Sequence, residues 1–322
     1  MRAIQVHSYG GPEELRSDDL PLPEPGPGAV RVKLAAAGVN FIDIYKRTGA
    51  YKVPLPLTLG EEGAGVVDSV GAGVGDFAAG DRVAYALETG SYAEYAVVPA
   101  AKLVALPGGV SFATGAAVML QGMTAHYLSH STYALKPGDT CVVHAAAGGV
   151  GLLLTQLAKL RGARVIGTVS TDEKERLARA AGADEIIRYT EQDYASELRR
   201  LSGGAGVEVI YDSVGRDTFE AGLGCLKPRG MLVLYGQSSG AVAPLDPQIL
   251  NAKGSLFVTR PTLGHYLLNR DELLWRAGEL FDLMAAGKLD VRIGATYALG
   301  DAAAAQTALA GRATTGKVLL IP

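Results

Sequence analysis

One stretch, from Asp139 to Arg161, limits what this chain can become more than any other. Its segment Cys141–His144 reads Cys-Val-Val-His, a short apolar run of the kind that forms a buried parallel strand. Small residues follow from Ala145 to Gly149, and then Leu152, Leu153, Gln156, Leu157 and Leu160 recur at helical spacing. A strand, a turn without bulk and a helix make the opening unit of a dinucleotide-binding fold. The small residues have a chemical reason. A pyrophosphate has to reach backbone N–H groups at a helix N-terminus, and a side chain larger than methyl holds it away. Against the pattern G-x-G-x-x-G, Ala146 stands at the first glycine and Gly148 and Gly151 at the second and third. Ala147, Gly148, Gly149 and Val150 are therefore the expected phosphate contacts.

The continuation strengthens this reading. Arg164 to Val169 reads as a second parallel strand, with Gly167 inside it, and Asp172 to Ala181 as a second helix. The tip of the second strand selects the cofactor. An NAD site usually carries an acidic residue there to bond the ribose 2′-hydroxyl. Here the tip is Val169-Ser170-Thr171, with Lys174 close behind and no carboxylate at the strand end. Two hydroxyls and an ammonium suit a 2′-phosphate, which favours NADPH. Ser170 also suits the N-cap of the following helix, whose first turn holds Asp172 and Glu173.

The chain has room for two domains at 322 residues, and 48% hydrophobic with 20% charged content describes a soluble globular protein. A net charge of −3 and a pI near 6.0 argue against nucleic acid or a membrane surface as the main partner. No signal sequence or long apolar stretch is visible, so a cytoplasmic location is expected. Cys141 and Cys225 are the only cysteines, too few for a disulfide framework or a structural zinc lobe.

Ahead of the dinucleotide unit, short runs with strand character recur at 1–7, 29–37, 62–70, 82–87 and 93–99, punctuated by Pro and Gly clusters. Gly38-Val-Asn-Phe-Ile-Asp43 and Tyr45 open a short helix, and Tyr51 follows in a loop. Behind it, strands are expected at 185–188, 207–212, 230–235 and 254–259, the last an edge strand. Helices over 272–286 and 301–310 and a closing strand at 317–321 return the chain to its first domain.

Six segments belong together: Gly38–Asp43, Leu59-Gly-Glu-Glu-Gly-Ala-Gly65, Gly80-Asp-Arg-Val83, His144–Gly151, Tyr211-Asp-Ser-Val-Gly215 and Val258-Thr-Arg-Pro261. Jointly they resemble the medium-chain dehydrogenase/reductase superfamily, and within it the zinc-free NADPH:quinone oxidoreductases related to ζ-crystallin. The resemblance implies an α/β protein: a Rossmann doubly wound parallel sheet over residues 125–262, and a GroES-like, irregular β-rich catalytic domain from residues 1–124 and 263–322. It implies metal-free hydride transfer from NADPH to a quinone or related α,β-unsaturated carbonyl, and a homodimer formed through the edge strand. Metal-dependent members of the superfamily hold zinc with a Cys near the Gly38 segment and a His in Gly-His-Glu. Asn40-Phe41 and Gly60-Glu61-Glu62 stand there instead, so no metal is expected.

The same resemblance assigns the site. Asn40, Gln121 and the hinge residue Thr124 serve the nicotinamide half. Ser170, Thr171, Lys174, Tyr189 and Arg312 hold the 2′-phosphate end, Arg312 approaching from the other domain; a half-buried tyrosine at a strand end and a plain surface arginine are the competing readings of the last two. Ser213, Val214, Tyr235, Gly236, Gln237, Phe257 and Val258 are expected at the carboxyl ends of strands, where a doubly wound sheet binds ligands. Tyr45, Tyr51 and Arg260 could orient or polarise a substrate carbonyl, and wall packing competes for the two tyrosines. Two other readings remain open: an NADPH-binding protein with little turnover, of the crystallin or RNA-binding type, and a zinc-type alcohol dehydrogenase. No basic stripe supports the RNA version.

Three motifs lead elsewhere and fail. Gly236-Gln-Ser-Ser-Gly240 matches a nucleophile elbow, but Pro244 and Pro247 obstruct the helix an elbow requires. His126 and His130 have metal-ligand spacing without the Glu of H-E-x-x-H, and are expected as helix-surface histidines. His144 ends the first strand and is expected to pack beneath the turn rather than to move protons.

Overall fold

The computed structural model describes residues 1–322. The chain divides into two compact units, residues 1–123 with 267–322 and residues 124–266. In chain order the first unit supplies β1 (Arg2–Val6), β2 (Leu15–Asp19), β3 (Ala29–Val39), α1 (Phe41–Arg47), β4 (Leu57–Thr58), β5 (Glu62–Val70), β6 (Arg82–Ala86), β7 (Tyr95–Pro99), β8 (Leu103–Ala105) and most of α2 (Phe112–Tyr127). The second unit contains β9 (Thr140–Val143), α3 (Gly149–Leu160), β10 (Arg164–Val169), α4 (Asp172–Ala180), β11 (Glu185–Arg188), α5 (Tyr194–Leu201), β12 (Val207–Asp212), α6 (Phe219–Leu223), β13 (Leu226–Leu234), α7 (Gln248–Ala252) and β14 (Phe257–Thr259). The chain then returns to the first unit with α8 (Arg270–Ala285), β15 (Ile293–Ala298), α9 (Ala302–Ala310) and β16 (Lys317–Ile321).

The second unit is one parallel sheet in the order β11-β10-β9-β12-β13-β14. Strand order reverses between β9 and β12, the position where such sheets bind ligands outside their carboxyl ends. The strands read as apolar runs because helices cover both faces. Val142, Ile166, Ile187, Ile210 and Leu232 are fully buried in one cluster with Leu198, Phe219 and Leu223 from the helices. In the first unit, β3 pairs antiparallel with β5, β7 and β16, β5 with β6, and β6 with β8, while β15 runs parallel to β16. A separate three-stranded sheet has the order β2-β1-β4. One apolar cluster joins Ile4, Val6, Val39, Leu59, Val318 and Leu320, and a second joins Val30, Val32, Val67, Val83 and Val98.

The structure corrects several sequence expectations. The return to the first unit comes at Leu267 instead of residue 263, because Tyr266 belongs to the second unit. Its ring stacks on Tyr127 at 4.3 Å and its hydroxyl accepts from Thr132 Oγ1 at 2.8 Å. The expected edge strand starts at Phe257 and not at Gly254, since Gly254 and Ser255 turn the chain with φ of 112° and 54°. Gly38 and Val39 finish β3, and α1 begins only after Asn40. His126 is fully buried rather than on a helix surface, its ring stacked on His130 at 4.2 Å. The reason is visible in α2, where Ala116, Ala117, Val118, Met119, Met123 and Ala125 are all buried, so the helix is covered on more than one face.

Candidate functional site

The turn between β9 and α3 is fixed from three sides. His144 N donates to Tyr211 O (3.1 Å), Ala146 N to Thr168 O (3.1 Å) and Gly148 N to Ala145 O (2.8 Å). Ala145 takes a left-handed φ of 51°, which sends the chain sharply from strand into helix. Gly148 is the N-cap of α3 and carries no side-chain cap, whereas Thr171, Asp193 and Asn269 cap α4, α5 and α8. The first N–H groups of α3 therefore face outward without an acceptor from the helix, with the positive end of the helix dipole behind them. A Cβ on Gly151 would lie 2.3 Å from Ala145 O, and one on Gly148 3.1 Å from the same oxygen. A side chain at Gly151 would collide with the backbone of this turn, and one at Gly148 would crowd it.

Beneath the turn, Gly167 is buried, and a Cβ there would meet Ala146 Cβ at 2.9 Å. Gly167 thus makes room for the turn from below. His144 is 1% exposed, bonds Thr168 Oγ1 through Nδ1 at 2.9 Å, and packs its ring on Tyr194. Burial lowers its pKa against the pull of Asp212, so the ring is a neutral support.

At the tip of β10, Lys174 Nζ donates to Ser170 Oγ at 3.4 Å, and Thr190 Oγ1 donates to Ser170 O at 3.1 Å. The N-cap of α4 is Thr171, whose Oγ1 accepts from Lys174 N; Ser170, expected to cap, stays beside the ammonium instead. Arg188 pairs with Asp172 and Glu191 and lies 3.8 Å from Glu175, which offsets the acidic first turn of α4. Tyr189 follows β11 at 43% exposure. Asp212, fully buried, accepts at Oδ1 from Val214 N (2.7 Å), Gly215 N (3.0 Å) and Thr218 Oγ1 (2.9 Å). The loop after β13 is tied to this one: Tyr235 N bonds Asp212 O (2.8 Å) and Ser238 N bonds Ser213 O (3.1 Å). Ser213, Val214, Tyr235, Gly236 and Gln237 thus share the carboxyl edge of the sheet. Phe257 does not: it pairs with Met231, short of that edge, and is 55% exposed. Val258 lies one step nearer, level with Leu232, and Arg260 follows the strand end. The loop at Gly236–Gly240 runs on without a helix until Gln248, so no nucleophile elbow forms.

In the first unit, a buried polar cluster surrounds Asn40. Its Nδ2 donates to Glu62 Oε1 at 2.6 Å, and its Oδ1 accepts from Lys317 Nζ at 2.8 Å and from Gln121 Nε2 at 3.3 Å. Lys317 also pairs with Glu62, and Lys46 with Glu61. Leu120 N bonds the second Glu62 oxygen at 2.7 Å. Asp43 joins α1 to this cluster, accepting from Asn40 N (2.8 Å) and Tyr92 OH (2.9 Å). Burial first, and the Glu61 carboxylate next, push Asp43 up to about 7, while burial lowers Lys317. On α1 and its loop, the rings of Tyr45 and Tyr51 meet at 5.3 Å, and Tyr51 N donates to Tyr45 O at 3.0 Å.

Comparison with known proteins decides the lineage. The family "Alcohol dehydrogenase GroES-like domain" matches residues 26–108 and "Zinc-binding dehydrogenase" residues 149–272. A quinone oxidoreductase of Pseudomonas aeruginosa is 50% identical over 100% of this chain and 99% of its own length. The chain belongs to the quinone oxidoreductase family of medium-chain dehydrogenases/reductases. A 2-haloacrylate reductase of Burkholderia sp. is 44% identical, covering 99% of this chain and 98% of the relative. The crystal structure of an Escherichia coli quinone oxidoreductase in complex with NADPH superposes with a TM-score of 0.98 at 46% identity, over 100% of both chains.

Within this family frame the expected site residues fall in two places. The carboxyl edge of the second unit holds the turn, the Ser170–Lys174 tip and the loops after β12 and β13. The first unit holds Asn40, Gln121, Tyr45, Tyr51 and Arg312, the last exposed with a left-handed φ of 58°. Thr124 is 92% buried within α2, at 8% exposure. Glu62, Lys317 and Asp212 were not expected. The doublet Glu61-Glu62 before an apolar strand was the available signal for the first, and a lone charge in Lys-Val-Leu-Leu-Ile for the second.

Proposed function

We propose that this protein is an NADPH-dependent reductase that passes hydride, without a metal, to a quinone or a related α,β-unsaturated carbonyl. The observation that carries the reading is the uncapped N-terminus of α3, where a cradle closed by Gly148 and Gly151 fits a pyrophosphate. NADPH supplies the hydride; the chain binds, orients and excludes water. The turn Ala147–Val150 takes the pyrophosphate, and Ser170, Thr171, Lys174, Tyr189 and Arg312 take the 2′-phosphate. Ser213, Val214, Tyr235, Gly236, Gln237 and Val258 follow the cofactor along the sheet edge. Asn40, Gln121 and Thr124 serve its nicotinamide half, and Tyr45, Tyr51 and Arg260 serve the acceptor. The NADPH complex of the Escherichia coli relative supports the cofactor, and the quinone and haloacrylate relatives support the acceptor class.

Zinc fits these residues poorly. Asn40 and Glu61 stand where the metal-dependent members carry thiolate and imidazole, Glu61 is paired with Lys46, and a buried ammonium from Lys317 occupies the centre of the cluster. A homodimer through the exposed edge of β14 and a cytoplasmic location complete the proposal. No helix is long and apolar enough to cross a membrane. The test is NADPH oxidation over a panel of quinones and enones with a chelator present. Turnover with at least one electron-poor acceptor is expected; none with any acceptor would favour a binding protein.

A further inference from the structure

Lys317 opens β16 at 1% exposure, and its ammonium bonds Glu62 and Asn40 Oδ1. An ammonium only donates and an ionised carboxylate only accepts. Asn40 lies between the two, its Oδ1 on Lys317 and its Nδ2 on Glu62, so the ends of this amide cannot be exchanged. Gln121 Nε2 donates to the same Oδ1 at 3.3 Å, which passes the polarity one amide further. Gln121 is only 9% exposed, and its Oε1 is left buried with no partner in the protein. Buried acceptors are nearly always satisfied, so this oxygen is open to a donor that the protein itself does not supply.

We propose that Lys317 is a positioning residue that, through Asn40, holds Gln121 with its Oε1 presented as an acceptor to a hydrogen-bond donor on the bound ligand. The proposal rests on the reductase reading given above. On the reacting rings themselves two groups carry such a donor: the carboxamide NH2 of the dihydronicotinamide, and the hydroxyl of the hydroquinone that reduction forms. A quinone itself offers only acceptors, so in the second case the contact arises with the product.

Two pairs of probes separate these sources. Dissociation constants are measured for NADPH and for its acetylpyridine analogue, which lacks the NH2. Inhibition constants are measured for hydroquinone and for its dimethyl ether. The native chain should prefer the donor-bearing member of one pair by about fivefold, the value of a single hydrogen bond. Lys317→Met combined with Glu62→Gln removes both buried charges together, and should bring that ratio to about one while circular dichroism shows a native fold. Gln121→Leu leaves the ion pair intact and should lose the same preference, so the test stands even if the double variant does not fold. A native chain with no preference in either pair, or either folded variant keeping the native ratio, overturns the proposal. Failure of the native chain to bind NADPH at all would instead sink the reductase reading, and this proposal with it.

Discussion

Replacing Gly151 by Ala tests the cradle at its tightest point. The added Cβ would sit 2.3 Å from Ala145 O, 2.8 Å from Ala146 Cα and 2.9 Å from Ala146 C. All three are backbone atoms of a turn already tied to β10 and β12, and Ala145 has no slack at a φ of 51°. Relief therefore requires α3 to retreat by roughly 1 Å, given ordinary contact distances of 3.5–4.0 Å between carbon atoms. Overpacking of this kind costs about 1–3 kcal/mol, which lowers the melting temperature by about 2–10 °C. The same retreat withdraws the first N–H groups of α3 from a pyrophosphate. Losing one charge-assisted hydrogen bond weakens NADPH binding by about 1.5–3 kcal/mol, or roughly tenfold to a hundredfold. Calorimetric titration with NADPH and with 2′-AMP, which has no pyrophosphate, separates the two effects: only NADPH should lose affinity. Gly278→Ala, on α8 with no atom near its Cβ, should instead be neutral or stabilising. Native NADPH affinity together with an unchanged melting temperature in Gly151→Ala would refute the reasoning.

Other consequences are equally open to measurement. Lys174→Ala with Arg312→Ala should raise the Michaelis constant for NADPH by about tenfold or more and leave that for NADH nearly unchanged, since each lost ionic hydrogen bond is worth about 1.5–3 kcal/mol; equal effects would refute the 2′-phosphate assignment. Asp43, pushed up to about 7 by burial and then by Glu61, keeps its proton in the folded chain where the unfolded chain has released it. The stability it contributes is present below about pH 4 and is lost as pH rises towards 7, at up to about 1.4 kcal/mol per pH unit. Asp43→Asn should flatten that slope in urea unfolding; identical slopes would show that Asp43 is not its source. Exhaustive dialysis against a chelator should leave turnover intact, whereas activity lost and then restored by zinc would contradict the metal-free reading.

The parallel half of the fold was legible because each of its signals is local. The β-branched run before Ala145, the small residues of the turn and the leucines of α3 lie within one short stretch, and the strands Glu185–Arg188 and Val207–Asp212 keep the bounds expected from the sequence. The first unit was read less completely. β2 is mostly polar, β4 has two residues, and β15 includes glycine and alanines, so periodicity gives little for any of them. The cluster around Asn40 was hidden for a different reason. Lys317 is 277 residues from Asn40 along the chain, and only the antiparallel pairing of β16 with β3 brings them together. A lysine at the start of a closing strand is otherwise an ordinary exposed end. Likewise Ser170 and Thr171 are equally good caps by composition, and only the backbone at the end of β10 decides between them.

A crystal soaked with NADPH tests the account at its centre. The account requires pyrophosphate density across the Ala146–Gly151 turn at the N-terminus of α3, with the 2′-phosphate beside Ser170 and Lys174. A nucleotide bound anywhere else on the chain, or lying at that turn with its 2′-phosphate directed away from Lys174, would contradict it.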